Sequence, residues 1–196
     1  MKPPGLYRYL PFALTTLRLL LGPLALLGAL AQWPRFVFLP ILITGTLSDI
    51  YDGVLARRYG VATPALRRYD SITDLFYYLF ILVVLWRLSH AVMVANVPAI
   101  ILILVLEVLV IMVCYLKFGT YPAAHTWLAK FYGLYLLFSI ATLLAFDAGS
   151  WAVISLALVA LVTDGEIIAM HLLSPVASVD VRSIATLSSG RTKGKR

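Results

Sequence analysis

An all-α, polytopic membrane protein with six transmembrane helices is the fold class that this sequence predicts, and three observations lead to it. The chain is 62% hydrophobic, with a mean hydropathy of +0.94. Only 13% of its residues are charged, against roughly 25% in an ordinary soluble domain. Its 196 residues fall into apolar runs separated by turn residues or charge, and that length suits about six spans of ~20 residues, with no room for a separate soluble domain.

The first run lies near 10–32 and closes at Trp33-Pro34-Arg35, where proline and charge interrupt a helix. The second covers 36–57 and leads into a basic stretch, 58–68, that contains Pro64. The third is expected over 69–89, ending at Arg87 to His90, and the fourth over 92–115, followed by Gly119 and Pro122. The fifth spans 125–146 and the sixth 150–173, with Asp147 and Gly149 marking the turn between them. Residues 1–173 are therefore read as one six-helix membrane domain. Residues 174–196, ending Gly-Arg-Thr-Lys-Gly-Lys-Arg, are read as a flexible basic tail able to touch anionic headgroups. A cleaved leader is the alternative for the first run, since Lys2 and Arg8 precede it and Ala29-Leu30-Ala31 closes it. That run is long for a leader and contains Arg18.

An even number of spans puts both termini on one side. That side then holds Lys2, Arg8, Arg57, Arg58, Arg67, Arg68, Lys117, Arg182, Arg191, Lys193, Lys195 and Arg196, and the other holds Arg35 and Arg87. Basic residues concentrate on the cytoplasmic side of membrane proteins, so both termini and the connection between the second and third spans are expected in the cytoplasm. The expected location is the cell (inner) membrane. A net charge of +7 then belongs to loops facing anionic lipid, and no nucleic-acid partner is expected. The single cysteine, Cys114, sits in an apolar run and reads as a core residue.

Four carboxylates interrupt this apolar chain in a regular pattern, Asp49-x-x-Asp52-Gly53-x-x-Ala56-Arg57 followed by Asp70-x-x-x-Asp74. Residues three or four apart share a helix face, so each pair projects together, one at the end of the second span and one at the start of the third. The connection, about a dozen residues with Pro64 in it, makes the two helices antiparallel and brings both pairs to one mouth. Unpaired at the bilayer centre, four such groups would cost on the order of 10 kcal/mol. Helix-end carboxylates paired with Arg57, Arg58, Arg67 and Arg68 form the purely structural explanation. The chemical one is a site for divalent cations: hard oxygen ligands of total charge −4 suit two Mg²⁺ or Mn²⁺ ions, which can clamp a phosphate or pyrophosphate. Small residues at Gly53 and Ala56 leave room for a ligand near the backbone, or serve helix packing. The planar fork of Arg57 can take phosphate, or anchor the interface.

The pattern resembles the signature of the CDP-alcohol phosphatidyltransferase family, D-x-x-D-G-x-x-A-R-x8-G-x-x-x-D-x-x-x-D. Asp49, Asp52, Gly53, Ala56, Arg57, Asp70 and Asp74 match its fixed positions, and Leu66 stands where the family has glycine. Six helices with the signature on the second and third also agree with that family. Residues 11–18 resemble the family's first helix, with Thr15 and Arg18 in the usual places and Phe12 where asparagine is common. The stretch from Lys117 through His125 to Lys130 is loosely similar to its fourth-to-fifth helix connection.

The resemblance implies transfer of a phosphatidyl or related group from a CDP-linked donor, commonly CDP-diacylglycerol, to an alcohol, with release of CMP. It implies that Asp49, Asp52 and Asp70 hold metal, and that Asp74 both contacts metal and takes the acceptor's proton. It places Gly53, Ala56, Arg57 and Thr63 at the CDP donor, although Thr63 also reads as a turn residue before Pro64. Arg18, Lys117 and Lys130 are candidates for acceptor or phosphate binding, and a homodimer in contact with membrane lipids is the implied form. Leu66 moves the question to the nucleotide pocket. An adjusted pocket that keeps CDP binding is the expectation; a different donor, weakened catalysis and an inactive member acting as a membrane partner are the alternatives. A cation- or proton-conducting protein is a more distant one, because acids along a pathway would be spread through the bilayer depth. Glu107, Asp164 and Glu166 are expected to pair with Arg18 or Lys130 across helices. Tyr77, Tyr78, Tyr132 and Tyr135 read as packing or interface aromatics, and His90 and His171 have no metal-ligand spacing.

Overall fold

The computed structural model describes residues 5–119, 126–146 and 149–173; His125 and the basic tail lie outside these. The described residues are helical, with α1 at Leu10–Leu30, α2 at Phe38–Arg58, α3 at Pro64–Leu88 and the short α4 at His90–Ala95. Then come α5 at Val97–Phe118, α6 at Trp127–Phe146 and α7 at Ser150–Leu173. All but α4 are long and apolar enough to cross a membrane, giving the six expected spans. By contacts the chain divides into two compact units, Met1–Ala91 with Ile140–Ala148, and Val92–Ser139 with Gly149–Arg196.

The third span begins earlier than its hydropathy suggests. Thr63 is extended and its Oγ1 accepts a hydrogen bond from the Leu66 N–H at 3.2 Å, and Pro64 occupies the first helical turn, where its missing N–H costs nothing. Arg67 and Arg68 therefore belong to the helix. The expected dozen-residue connection shrinks to 59–63, because hydropathy marks where a helix becomes apolar and not where it starts. At the other side of the turn, Gly60 adopts φ +65°, the Gly60 N–H donates to Arg57 O and the Val61 N–H to Ala56 O. This left-handed helix cap reverses the chain within a few residues.

In the first unit α1 packs against α2 and α3. Contacts along the helices fix their directions. Asp49 and Asp52 of α2 share a cation with Asp70 and Asp74 of α3, and Tyr77, further along α3, donates to Ile41 O, further back along α2, at 3.3 Å. These two helices are thus antiparallel. Thr16 meets Tyr69 and Gly22 meets Phe80, so α1 runs parallel to α3. The core is made by close approach: a Cβ on Gly45 would collide with the Tyr77 phenol, and one on Gly22 would lie 2.9 Å from Phe80 Cδ2. Small residues at such crossings let backbones approach where lipid provides no hydrophobic drive between helices. Arg35 closes the opposite end, reaching Leu88 O, Ser89 Oγ and Leu143 O.

In the second unit α5 packs against α7. Asn96 Nδ2 donates to Ser150 Oγ at 2.7 Å, Tyr135 Oη to Ser155 Oγ at 2.9 Å, and Tyr132 Oη to Glu107 at 3.2 Å. Cys114 is buried and in no disulfide, in keeping with a core role.

Candidate functional site

The site is built by three helices around one guanidinium. On α2, Asp49 and Asp52 occupy neighbouring positions of one face; on α3, Asp70 and Asp74 lie one turn apart. From α1, Arg18 enters between them and is 1% exposed. Its Nη1 lies 2.9 Å from Asp49 Oδ1 and also pairs with Asp74 Oδ1, while its Nη2 reaches Asp70 Oδ1 at 3.0 Å and pairs with Asp52 Oδ2. Thr15, on the same face of α1 three residues earlier, holds Asp52 Oδ2 at 2.9 Å. One guanidinium among four carboxylates leaves a formal excess of three negative charges, counted on the residues named.

Depth distinguishes the acids. The Asp52 side chain is 5% exposed, whereas those of Asp49, Asp70 and Asp74 are 45%, 32% and 33% exposed. The latter three each offer a carboxylate oxygen within 4.8 Å of the others. A divalent cation takes hard oxygen ligands from several carboxylates at once, so the donor set could hold a metal ion.

Other residues singled out in the sequence fall at different distances from this cluster. Gly53 and Ala56 lie on α2 beyond Asp52, with Ala56 buried. The Arg57 guanidinium lies over Gly53, 3.7 Å from where a Cβ there would stand. Thr63 caps α3, and Leu66 sits in the first turn that it caps, where a leucine is at home in a helix. Lys117 and Lys130 belong to the second unit. The Lys117 Nζ donates to His171 O at 2.8 Å and to Leu172 O at 2.6 Å, as suits a cation at a helix C-terminus, and Lys130 lies over the Trp127 ring.

Arg18 pairs with the four aspartates, because it projects from the face of α1 that packs on α2 and α3. The purely structural explanation finds no support: Arg57 and Arg58 at the end of α2 and Arg67 and Arg68 at the start of α3 are exposed, and in the described residues the ion pairs of the aspartates go to Arg18. Solvated arginines at a helix end gain little from such pairing, whereas a buried guanidinium needs it. Thr15, noted in the sequence only within the first-helix resemblance and given no role there, is the residue that the structure adds to the site. Its spacing from Arg18, Thr15-x-x-Arg18 on one helix face, is the signal that would have found it. Phe12, the other departure in this helix, stacks on Tyr69 with ring centroids 5.1 Å apart, while Thr16 Oγ1 lies 3.1 Å from the Tyr69 hydroxyl.

The family model described as CDP-alcohol phosphatidyltransferase matches residues 8–165, which includes α1 and all four aspartates. Neither the curated proteins nor the solved structures gave a match.

Proposed function

The chain belongs to the CDP-alcohol phosphatidyltransferase family, membrane transferases of phospholipid biosynthesis that pass a phospho-alcohol group from a CDP-alcohol to a second alcohol, and from that membership we propose its specific reaction. A phosphatidyl or related group leaves a CDP-linked donor, CDP-diacylglycerol, for an alcohol acceptor, and CMP is released. The observation that carries this reading is the convergence of Asp49, Asp52, Asp70 and Asp74 on one point between helices.

Asp49, Asp52, Asp70 and Asp74 would hold two divalent cations, Mg²⁺ or Mn²⁺. Such ions, when bound, polarise the pyrophosphate and stabilise the departing CMP. Asp74 remains one-third exposed, so an acceptor hydroxyl can reach it, and as a carboxylate it removes the hydroxyl proton as the oxygen attacks phosphorus. Asp52, buried and held by Thr15, keeps the inner wall of the site in place. Arg57 offers its fork to the donor phosphates, and Gly53 and Ala56 keep the α2 backbone open beside it. The Thr63 hydroxyl accepts from Leu66 N and so keeps its own proton to donate to the donor. Of the cations named for a phosphorylated acceptor, Arg18 is the one in the same unit as the aspartates, whereas Lys117 and Lys130 belong to the second unit. The site opens to the cytoplasm with both termini on that side, in the cell's inner membrane, and the protein works as a homodimer.

Purified protein with Mg²⁺ or Mn²⁺, CDP-diacylglycerol and a panel of phosphorylated and unphosphorylated alcohols is expected to release CMP in the presence of metal only. Asp74→Asn is expected to lower the rate by about 10²-fold or more. Wild-type turnover in Asp74→Asn would overturn the assignment of the base. Leu66 favours one second reading, an inactive member that acts as a membrane partner; no CMP from any acceptor would select it, and ion flux in liposomes would select a conducting role.

A further inference from the structure

We propose that Arg18 is a resident counter-cation of the carboxylate cluster, holding it assembled without metal and competing with divalent cations for the same oxygens. The proposal rests on the reading of the four aspartates as a metal site and extends it to a residue of α1. Arg18 spends both terminal nitrogens on carboxylates, and these come from all four aspartates. Its Nε is buried and makes no hydrogen bond. The guanidinium head is therefore held by the carboxylates alone, and a ligand that takes those oxygens releases it.

The oxygens in question are shared. Asp49, Asp70 and Asp74, the three carboxylates close enough to ligate one ion, are among those that Arg18 binds. Charge explains why the arginine is needed and why it can leave. Four carboxylates gathered in a membrane protein repel one another and hold together only around a cation. One guanidinium offsets a quarter of their charge, whereas two divalent ions offset all of it. Arg18 then has no electrostatic reason to stay among the carboxylates, and its planar fork is free for an anionic oxygen. A guanidinium is the suitable placeholder because it stays charged at any working pH and reaches four acceptors from one buried stem.

The test is Mn²⁺ binding to the purified full-length protein, read from the electron paramagnetic resonance of free Mn²⁺, together with melting temperatures in EDTA and in saturating Mn²⁺. Neither readout depends on turnover. Arg18→Gln is expected to bind Mn²⁺ about tenfold tighter or more, since the ion no longer displaces a cation. In EDTA it is expected to melt several degrees below the wild type, and Mn²⁺ is expected to close that gap. Arg18→Lys, with one point charge and no fork, is expected to fall between the two in Mn²⁺ affinity. Unchanged or weaker Mn²⁺ binding in Arg18→Gln overturns the proposal. So does an Arg18→Gln protein that stays unfolded in saturating Mn²⁺, because the ion would then fail to replace the guanidinium. Mn²⁺ bound equally by all three proteins leaves the metal site standing and sinks the Arg18 proposal alone. No Mn²⁺ bound by any of them overturns both.

Discussion

The Thr15 hydroxyl, 2.9 Å from Asp52 Oδ2, and the Arg18 guanidinium are the direct contacts holding the most buried acid of the cluster. Replacing the hydroxyl by a methyl keeps the shape and removes a donor from a buried carboxylate, a loss of about 1–3 kcal/mol. Thr15→Val is thus expected to lower the melting temperature by several degrees and to weaken metal-dependent CMP release, measured on the same preparation. Leu66 poses the converse question, since it fills a position that glycine occupies in the family signature. It lies in the first turn of α3 and its N–H is used by the Thr63 cap; glycine would keep that hydrogen bond and remove the side chain. Leu66→Gly is expected to cost about 1 kcal/mol through helix propensity, and to lower KM for the CDP donor several-fold with little change in kcat. An unchanged KM would mean that the leucine does not border the nucleotide pocket. The two aspartate pairs were legible in the sequence because helical spacing alone places acids on a common face, whereas the donor roles of Gly53, Ala56 and Arg57 came only from the family resemblance. The Arg18 contacts were not legible, because nothing in spacing says which helix will face those pairs.

Helix ends carry much of the first unit's geometry. After α1 the chain reverses through Gln32, a non-glycine residue at φ +58°, with the Trp33 N–H donating to Gly28 O. The Trp33 ring then lies against Gly28, where a Cβ would stand 2.5 Å from Trp33 Cε3. Gly28→Ala is therefore expected to cost about 1–3 kcal/mol by overpacking. The α2 cap fails differently: Gly60 has nothing within 4 Å of a built Cβ but holds φ +65°. Gly60→Ala is expected to cost about 1–2 kcal/mol from backbone strain alone. Melting curves distinguish the mechanisms, since Trp33→Ala should rescue Gly28→Ala in part and leave Gly60→Ala unaffected. Composition announced the six apolar helices, and glycine and proline announced most of their ends. The start of α3 was missed, because Arg67, Arg68 and Asp70 charge its first two turns and a hydropathy reading begins only where the continuous apolar run does. The short α4 escaped for a similar reason, being merged by its apolar character with the helix that follows.

For the molecule in its membrane, charge placement makes a prediction of its own. Basic residues gather at the termini and on the facing ends of α2 and α3, and the positive-inside bias predicts that these lie in the cytoplasm. With Cys114 changed to serine, a cysteine introduced at Val61 is expected to react with a membrane-impermeant maleimide in inverted vesicles and not in intact cells; the reverse pattern would overturn the orientation. By itself the sequence determined the class of the molecule, the number of its spans and the two carboxylate pairs, because hydropathy, length and helical periodicity are properties of neighbouring residues along one chain. Only the tertiary structure decided what meets those carboxylates. Arg18 stands more than thirty residues before Asp52 in the chain, and its place among the four acids follows from α1 packing parallel to α3 at a crossing permitted by Gly22, with α2 packed on α3 at one permitted by Gly45. A charge enclosed by helices must find its partner across that packing, and no local pattern records which partner it will be.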